Sequence, residues 1–305
     1  MQQDHLSAKS LNVVVTCDNH YIVLLAALIK SIETNLNKNY KVSLHIIEDR
    51  VSSGNKKKLE RSINSNIITI NWYRMKTILA DKESLPIDGS SFPLNIYMRL
   101  FIPYFIPEGV DKVLYLDVDM IAETDISLLV ETNMQNHIVA AVQDPRVLQF
   151  GHHWGGVPNY HVLGFKPNTP YFNTGLLLIN IAAWRANNIT AKVIDCINRN
   201  KKYAFYPDQY GLNVVLANQW LSLDSRWNFF SSEKESNQAS AAIIHFIERK
   251  PIYRSYYFND AFKEKFYQYL QQTEWKSFRP LGEIRRYYKK INNIVYKKQF
   301  QLTHS

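Results

Sequence analysis

Residues 111–125 read Asp-Lys-Val-Leu-Tyr-Leu-Asp-Val-Asp-Met-Ile-Ala-Glu-Thr-Asp. The apolar run Val113–Leu116 has the pattern of a buried strand, and it ends on two carboxylates, Asp117 and Asp119. In a regular strand an i, i+2 spacing puts both side chains on one face, and a kink at the strand's end aims them at one ion. Burying two close carboxylates is costly unless a cation or strong donors accompany them. An open α/β sheet holds its ligands at the carboxyl ends of its strands, where this pair sits. The stretch therefore points to a divalent metal held against a phosphate-bearing ligand.

Working outward, Asn12–Cys17, Val42–Ile47 and Ile67–Trp72 read as three earlier strands. Between them lie a helix over Tyr21–Thr34 and a second that starts near Ser52 and runs into the charged Lys56–Arg61. That alternation indicates a parallel sheet with helical crossovers. Asp81–Phe92 is polar and turn-rich, and Ile96–Phe101 is expected to be helical. Downstream, Ile138–Val142, Gly175–Ile179, Leu221–Leu223 and Ala242–His245 read as strands. Ala182–Asn187, Ala191–Asn200, Asp208–Ala217 and Asp260–Gln272 read as helices. Arg146–Thr169, rich in Gly, His and Pro, is long for a mere connection and fits a lid or binding loop.

Composition narrows the class. At 305 residues with 46% hydrophobic, the chain buries a substantial core and is not globally disordered. Its two cysteines, Cys17 and Cys196, suit a reducing compartment and supply neither a disulfide framework nor a zinc pattern. Met1–Ser10 is polar, and the longest apolar run, Ile22–Ile29, is too short to span a bilayer. A cytoplasmic, non-spanning protein is the expectation. The net charge of +9 is concentrated at the end: Lys276–Ser305 holds eight of the 36 Lys and Arg and one of the 27 acids.

Further polar residues follow strands or open helices and would meet at one sheet edge: Asp18-Asn19, Asp144, Asn173, Asp208-Gln209, and His245 with Lys250. Singly, each has a plain structural reading. Asp18-Asn19 and Asp208 serve equally as helix caps, and His245 as a satisfied core histidine.

Taken in order, Asp117-Val118-Asp119, Tyr171–Asn180 with Trp184, Asp208-Gln209 and His245 closely resemble glycosyltransferase family 8. These are retaining nucleotide-sugar transferases of GT-A fold, a Rossmann-like α/β fold with a mostly parallel open sheet and flanking helices. Bacterial lipooligosaccharide galactosyl- and glucosyltransferases are among them. The resemblance runs from about Asn12 to Tyr253. It implies that Asp117, Asp119 and His245 ligate Mn²⁺ (or Mg²⁺) on the diphosphate of a UDP-hexose. It implies that Asp18 and Asn19 contact the uridine, that Val118 lies in the donor site, and that Arg99 steadies the phosphates or the sugar. Lys250 would reach the diphosphate. Asn173, Asp208 and Gln209 would surround the donor sugar, and Asp144 would lie near donor and acceptor. Gln209, Asp208 and Asp144 are the catalytic candidates. Two positions depart from the family pattern. Tyr210 follows Asp208-Gln209 where an acid is common, and the His245–Lys250 spacing is one residue short, with Glu248-Arg249 in place of the usual glycine.

The expectation is a transferase domain over residues 1–255, moving galactose or glucose from UDP to a lipid-linked or oligosaccharide acceptor with an α product. Residues 256–305 are expected to form a helical, basic and aromatic segment on an anionic membrane surface, at the inner face of the membrane. No nucleic-acid motif is present. Competing classes are a sugar-nucleotide hydrolase or nucleotidyltransferase, and a non-catalytic nucleotide-sugar binder. Front-face attack within an ion pair is favoured over double displacement through Gln209 or an Asp, for want of an evident nucleophile.

Overall fold

A computed structural model describes residues 8–79, 85–233 and 241–304. The polar opening Met1–Ser10 and the turn-rich Asp81–Phe92 therefore fall partly outside the described residues. In chain order the first half comprises β1 (Lys9–Asp18), α1 (Ile22–Asn35), β2 (Tyr40–Asp49), α2 (Ser53–Glu60), β3 (Ile68–Arg74) and α3 (Met75–Leu79). A 3₁₀ helix, Leu94–Phe101, precedes α4 (Ile102–Phe105), β4 (Lys112–Leu116), β5 (Met120–Ala122), α5 (Ser127–Val130) and β6 (Val139–Gln143). Next are β7 (Phe172–Asn180), α6 (Ile181–Ala186), α7 (Ile189–Arg199), α8 (Pro207–Val215) and β8 (Trp220–Leu223). A 3₁₀ turn at Ser225–Asn228 leads to β9 (Phe229–Phe230), β10 (Ile243–His245), α9 (Asp260–Leu270) and α10 (Glu283–His304).

The main sheet has seven strands in the order β3-β2-β1-β4-β7-β6-β8. It is parallel except at β7, which runs against both β4 and β6. Its central strands are apolar without alternation because both faces are covered. Val13 and Val15 of β1, Leu114 and Leu116 of β4, and Leu176 and Leu178 of β7 face one core, under α1 and α9. Val14, Val113, Tyr115, Leu177 and Ile179 face the other, under the Leu94–Phe101 turn and α6 to α8. Each such aliphatic side chain contributes on the order of 2 kcal/mol by burial. Phe262, Phe266 and Leu270 of α9 belong to the first core.

The chain winds outward from β1 through β2 to β3, then returns to place β4 on the other side of β1. That reversal makes the carboxyl ends of β1 and β4 the topological switch point, where the diverging loops leave a crevice. Asp18 ends one of these strands and Asp117 follows the other.

Two local expectations change. Ile96–Phe101 lies in a 3₁₀ helix rather than an α-helix. With three residues per turn, positions i and i+3 eclipse, and Ile96 and Arg99 both line the crevice. A second sheet, β5-β10-β9, forms below the first, and its strands are too short to carry a readable period.

Candidate active site

The crevice at the switch point is a cleft of about 720 Å³. β4 delivers Asp117 at its rim: the Asp117 amide donates to the Gly175 carbonyl (2.8 Å), extending the ladder to β7 by one residue. The chain then kinks into β5, which pairs antiparallel with β10 and sets His245 opposite Met120. The Phe246 amide donates to the Asp119 carbonyl (2.8 Å), so the second sheet holds the histidine beside the second aspartate. A ligand atom each from Asp117, Asp119 and His245 lies within 4.8 Å of the others, the one such cluster of three among the described residues.

The imidazole's orientation is fixed by a residue absent from the sequence reading. His245 Nδ1 is 2.9 Å from Asn228 Oδ1, while Asn228 Nδ2 donates to Asn173 Oδ1 (2.9 Å). That second bond assigns the Asn228 amide, so its oxygen faces His245 and Nδ1 carries the proton. Nε2 of the neutral ring then turns its lone pair toward Asp119 Oδ1, 3.4 Å away. A lone pair aimed at a carboxylate needs a cation between or beside them. The Lys250 ammonium, in contact with Asp119 Oδ2, supplies positive charge at this spot. Burial disfavours ionisation of Asp119, but the Lys250 ammonium beside it outweighs this and holds the carboxyl well below the usual range. One imidazole and two carboxylates make a mixed nitrogen and oxygen set that could hold a divalent ion and differs from an all-oxygen calcium cage.

Gly175 is the second residue not anticipated. A Cβ there would lie 2.5 Å from His245 Cε1, 2.9 Å from Asn173 Oδ1 and 3.1 Å from Asp117 Oδ2. Glycine inside a strand marks a close approach, and here the approaching groups are the site itself.

Arg99, 5% exposed, lines the cleft with its donors already engaged. It bonds Asp117 Oδ1 (3.0 Å), the Thr174 carbonyl and Asp208 Oδ2 (3.1 Å). Burial works against its charge, yet Asp117, Tyr115 and Asp208 keep the guanidinium more firmly protonated than usual. Arg99 thereby fixes the Asp117 and Asp208 carboxylates. Asp208 is not the N-cap of α8, which is Tyr206; it lies in the first turn, bound to Arg99.

Asn173, Asp144 and Gln209 form one hydrogen-bonded group. Asn173 Nδ2 donates to Asp144 Oδ2 (3.1 Å) and Gln209 Oε1 (3.3 Å), and Gln209 Nε2 donates to Asp144 Oδ2 (3.4 Å). Gln209 Oε1 also accepts from the Thr174 amide (3.1 Å). Val118 and Lys250 line the cleft as well.

Across the switch point, Asp18 lines the same cleft. Its Oδ1 accepts the amides of His20 (2.9 Å) and Tyr21 (3.0 Å), shaping the turn into α1. Asn19 is the one candidate not among the lining residues. Its side-chain oxygen accepts from the Ser52 amide (3.0 Å) and Asn55 Nδ2 (2.9 Å), tying β1 to the start of α2.

Both departures from the family pattern have structural answers. Tyr210 is buried in the second core, and its hydroxyl donates to Asn159 Oδ1 (2.7 Å), anchoring the Arg146–Thr169 loop from behind the site. In the 245–250 loop Glu248 sits at φ 57°, the left-handed region that glycine adopts without cost. Its carboxylate pairs with Arg146, which helps hold that backbone in place. The long loop itself contributes Arg146, Val147 and Trp154 to the cleft wall.

The description "Glycosyl transferase family 8" matches residues 12–251. General stress protein A of Bacillus subtilis is 26% identical over 285 residues, covering 88% of this chain and 95% of that protein. A lipopolysaccharide 1,2-glucosyltransferase of Escherichia coli K12 is 27% identical over 223 residues, covering 73% of this chain and 63% of that enzyme. The chain spans only 23% and 48% of two streptococcal relatives, the glycosyltransferases GlyA and GlyB. Among solved structures, the galactosyltransferase LgtC with donor and acceptor sugar analogues superposes with a TM-score of 0.69 at 21% identity, over 88% of this chain and 99% of that one. The sheet order, the Asp-Val-Asp kink and the match over most of the chain converge: this chain belongs to glycosyltransferase family 8 and has the GT-A fold.

Proposed function

We propose that this protein transfers galactose or glucose from a UDP-hexose to a hydroxyl of a surface-glycan acceptor, such as lipooligosaccharide, with retention and an α product. The observation that carries it is the Asp117, Asp119 and His245 cluster in the cleft where β1 and β4 diverge. Those three residues would hold Mn²⁺ (or Mg²⁺). When bound, such an ion acts as a Lewis acid on the departing diphosphate. Lys250 adds positive charge on the same side, and Arg99 keeps Asp117 and Asp208 oriented. Asn173, Asp144 and Gln209 present a preorganised polar wall to the donor sugar.

The same wall supports front-face attack, with the leaving phosphate taking the acceptor's proton. Gln209 Oε1 already accepts from the Thr174 amide, the Thr174 hydroxyl and Asn173, which lowers its power as a nucleophile. Asp208 is bound to Arg99, and both oxygens of Asp144 accept hydrogen bonds.

With a panel of UDP-sugars, UDP release is expected from UDP-glucose or UDP-galactose, dependent on Mn²⁺ and stimulated by acceptor. Affinity without release would favour a binder, and pyrophosphate release from UTP and hexose-1-phosphate in a parallel assay a nucleotidyltransferase; either sinks the proposal.

The end of the 256–305 segment is proposed to attach the protein to the cytoplasmic face of the membrane, where a lipid-linked acceptor is presented. No helix among the described residues is long and apolar enough to cross a membrane. The attaching surface differs from the one expected. Lys289 and Lys297 turn inward, and the outward stripe of α10 is Ile284, Tyr287, Tyr288, Ile291, Val295 and Leu302. At 100° per residue these six fall on one side, flanked by exposed Arg285 and Lys290 and with Lys298 within the stripe, the pattern of an interfacial helix. Ile291→Asp is expected to reduce cosedimentation with anionic vesicles by roughly tenfold, while UDP release in detergent-free buffer persists. Undiminished vesicle binding would refute this assignment of α10.

A further inference from the structure

Asp18 has one oxygen left for a ligand. Oδ1 is engaged by the turn amides, and Oδ2 is held by the Lys289 ammonium of α10, 2.5 Å away. The carboxylate is 4% exposed and its partner's side chain 13%, so the pair closes that end of the cleft. α10 is fixed above it by several contacts. Asn293 donates to the Ser91 carbonyl (2.9 Å), Tyr296 to Asp49 Oδ1 (3.2 Å), and Lys297 pairs with Asp88. Arg50 stacks on Tyr296, 3.6 Å from the ring centre. At its other end Glu283 pairs with Arg249 (3.0 Å) of the loop that carries Lys250. Arg286, Lys289, Lys290 and Asn293 all line the cleft.

We propose that Lys289 is a built-in competitor at the nucleotide end of the donor site: donor base and Lys289 compete for Asp18 Oδ2. The inference rests on the nucleotide-sugar reading above. With the diphosphate at the Asp117, Asp119 and His245 cluster, the nucleoside extends across the switch point to Asp18. To take the ammonium's place there, a base must offer an N–H donor to the carboxylate. The imide N–H of uracil does so. Cytosine presents an acceptor nitrogen at the same position, and two acceptors facing each other in a buried site repel. Lys289 thus lowers affinity for a base that must displace it, and that base recovers part of the cost through its own charge-assisted bond to Asp18. The displaced ammonium stays beside a ligand that carries phosphate charge.

Calorimetric titration of the full-length protein with UDP and with CDP, in Mn²⁺, tests this. Lys289→Met is expected to bind UDP about tenfold more tightly than wild type, the equivalent of one charge-assisted hydrogen bond, with CDP affinity changed less than threefold. Lys298→Met, an exposed change of the same kind on the same helix, is expected to match wild type and controls for net charge. UDP affinity that is unchanged or weaker in Lys289→Met overturns the competition and makes Lys289 a ligand contact or a structural pair. An equal gain for CDP overturns the base selection. If wild type and variant both fail to bind UDP, the nucleotide-sugar reading falls with it.

Discussion

Asp119→Asn is expected to lower Mn²⁺-dependent UDP release by on the order of a thousandfold, with the fold intact. The amide has the shape of the carboxylate, so the packing around this 9% exposed residue is kept. The negative charge is lost, and with it the partner of Lys250 and one of the three candidate metal ligands. Far-UV circular dichroism and a melting temperature within a few degrees of wild type would show that folding survives. Mn²⁺ titration of UDP release would then read the site directly. Turnover that persists in this variant would remove the metal site from the centre of the mechanism.

Gly175→Ala carries the second large effect, and it touches no charge. The added methyl group arrives 2.5 Å from the His245 ring and within 3.1 Å of Asn173 and Asp117 oxygens. Contacts that short do not persist, so His245 must move, and its bond to Asn228 is lost or bent. A drop of about a hundredfold in turnover is expected, with a weaker Mn²⁺ requirement curve and a stability loss of roughly 1–3 kcal/mol. Equal Mn²⁺ affinity in the two proteins would show that the ring accommodates the methyl and that Gly175 is there for another reason.

The parts of this molecule legible in its sequence are those that repeat a physical pattern. Buried parallel strands are continuously apolar, so β1, β2 and β4 stood out, while the edge strand β3 showed by its β-branched residues; carboxylates at a strand end are common in turns, and Asp117 and Asp119 gained meaning only from their ordered partners. Strand direction leaves no such mark, and nothing in Phe172–Asn180 indicates that β7 runs antiparallel. Strands of two or three residues, such as β5 and β9, have no period at all. Asn228 was unreadable for the same reason: it ends a 3₁₀ turn, and only its contact with His245 reveals its part. Gly175 did leave a signal, a glycine inside an apolar strand, whose meaning depended on which groups approach it. The basic C-terminal residues were read as facing outward. Their inward partners, Asp18 and Asp88, lie some two hundred positions earlier and come beside them only in the fold.

The second sheet also sets an order of events during synthesis. The seven-stranded sheet is complete in sequence once β8 ends at Leu223, yet β10, which carries His245, is still to come. A nascent chain emerging from the N-terminus can therefore assemble its main sheet, with Asp117 and Asp119 already on its rim, before the third ligand exists and before α9 covers the first core. Until residues 224–245 follow, the scaffold is assembled and the candidate metal site is not. Metal capture is thus expected only after the seven-stranded sheet has formed, while α9 is still to cover the first core.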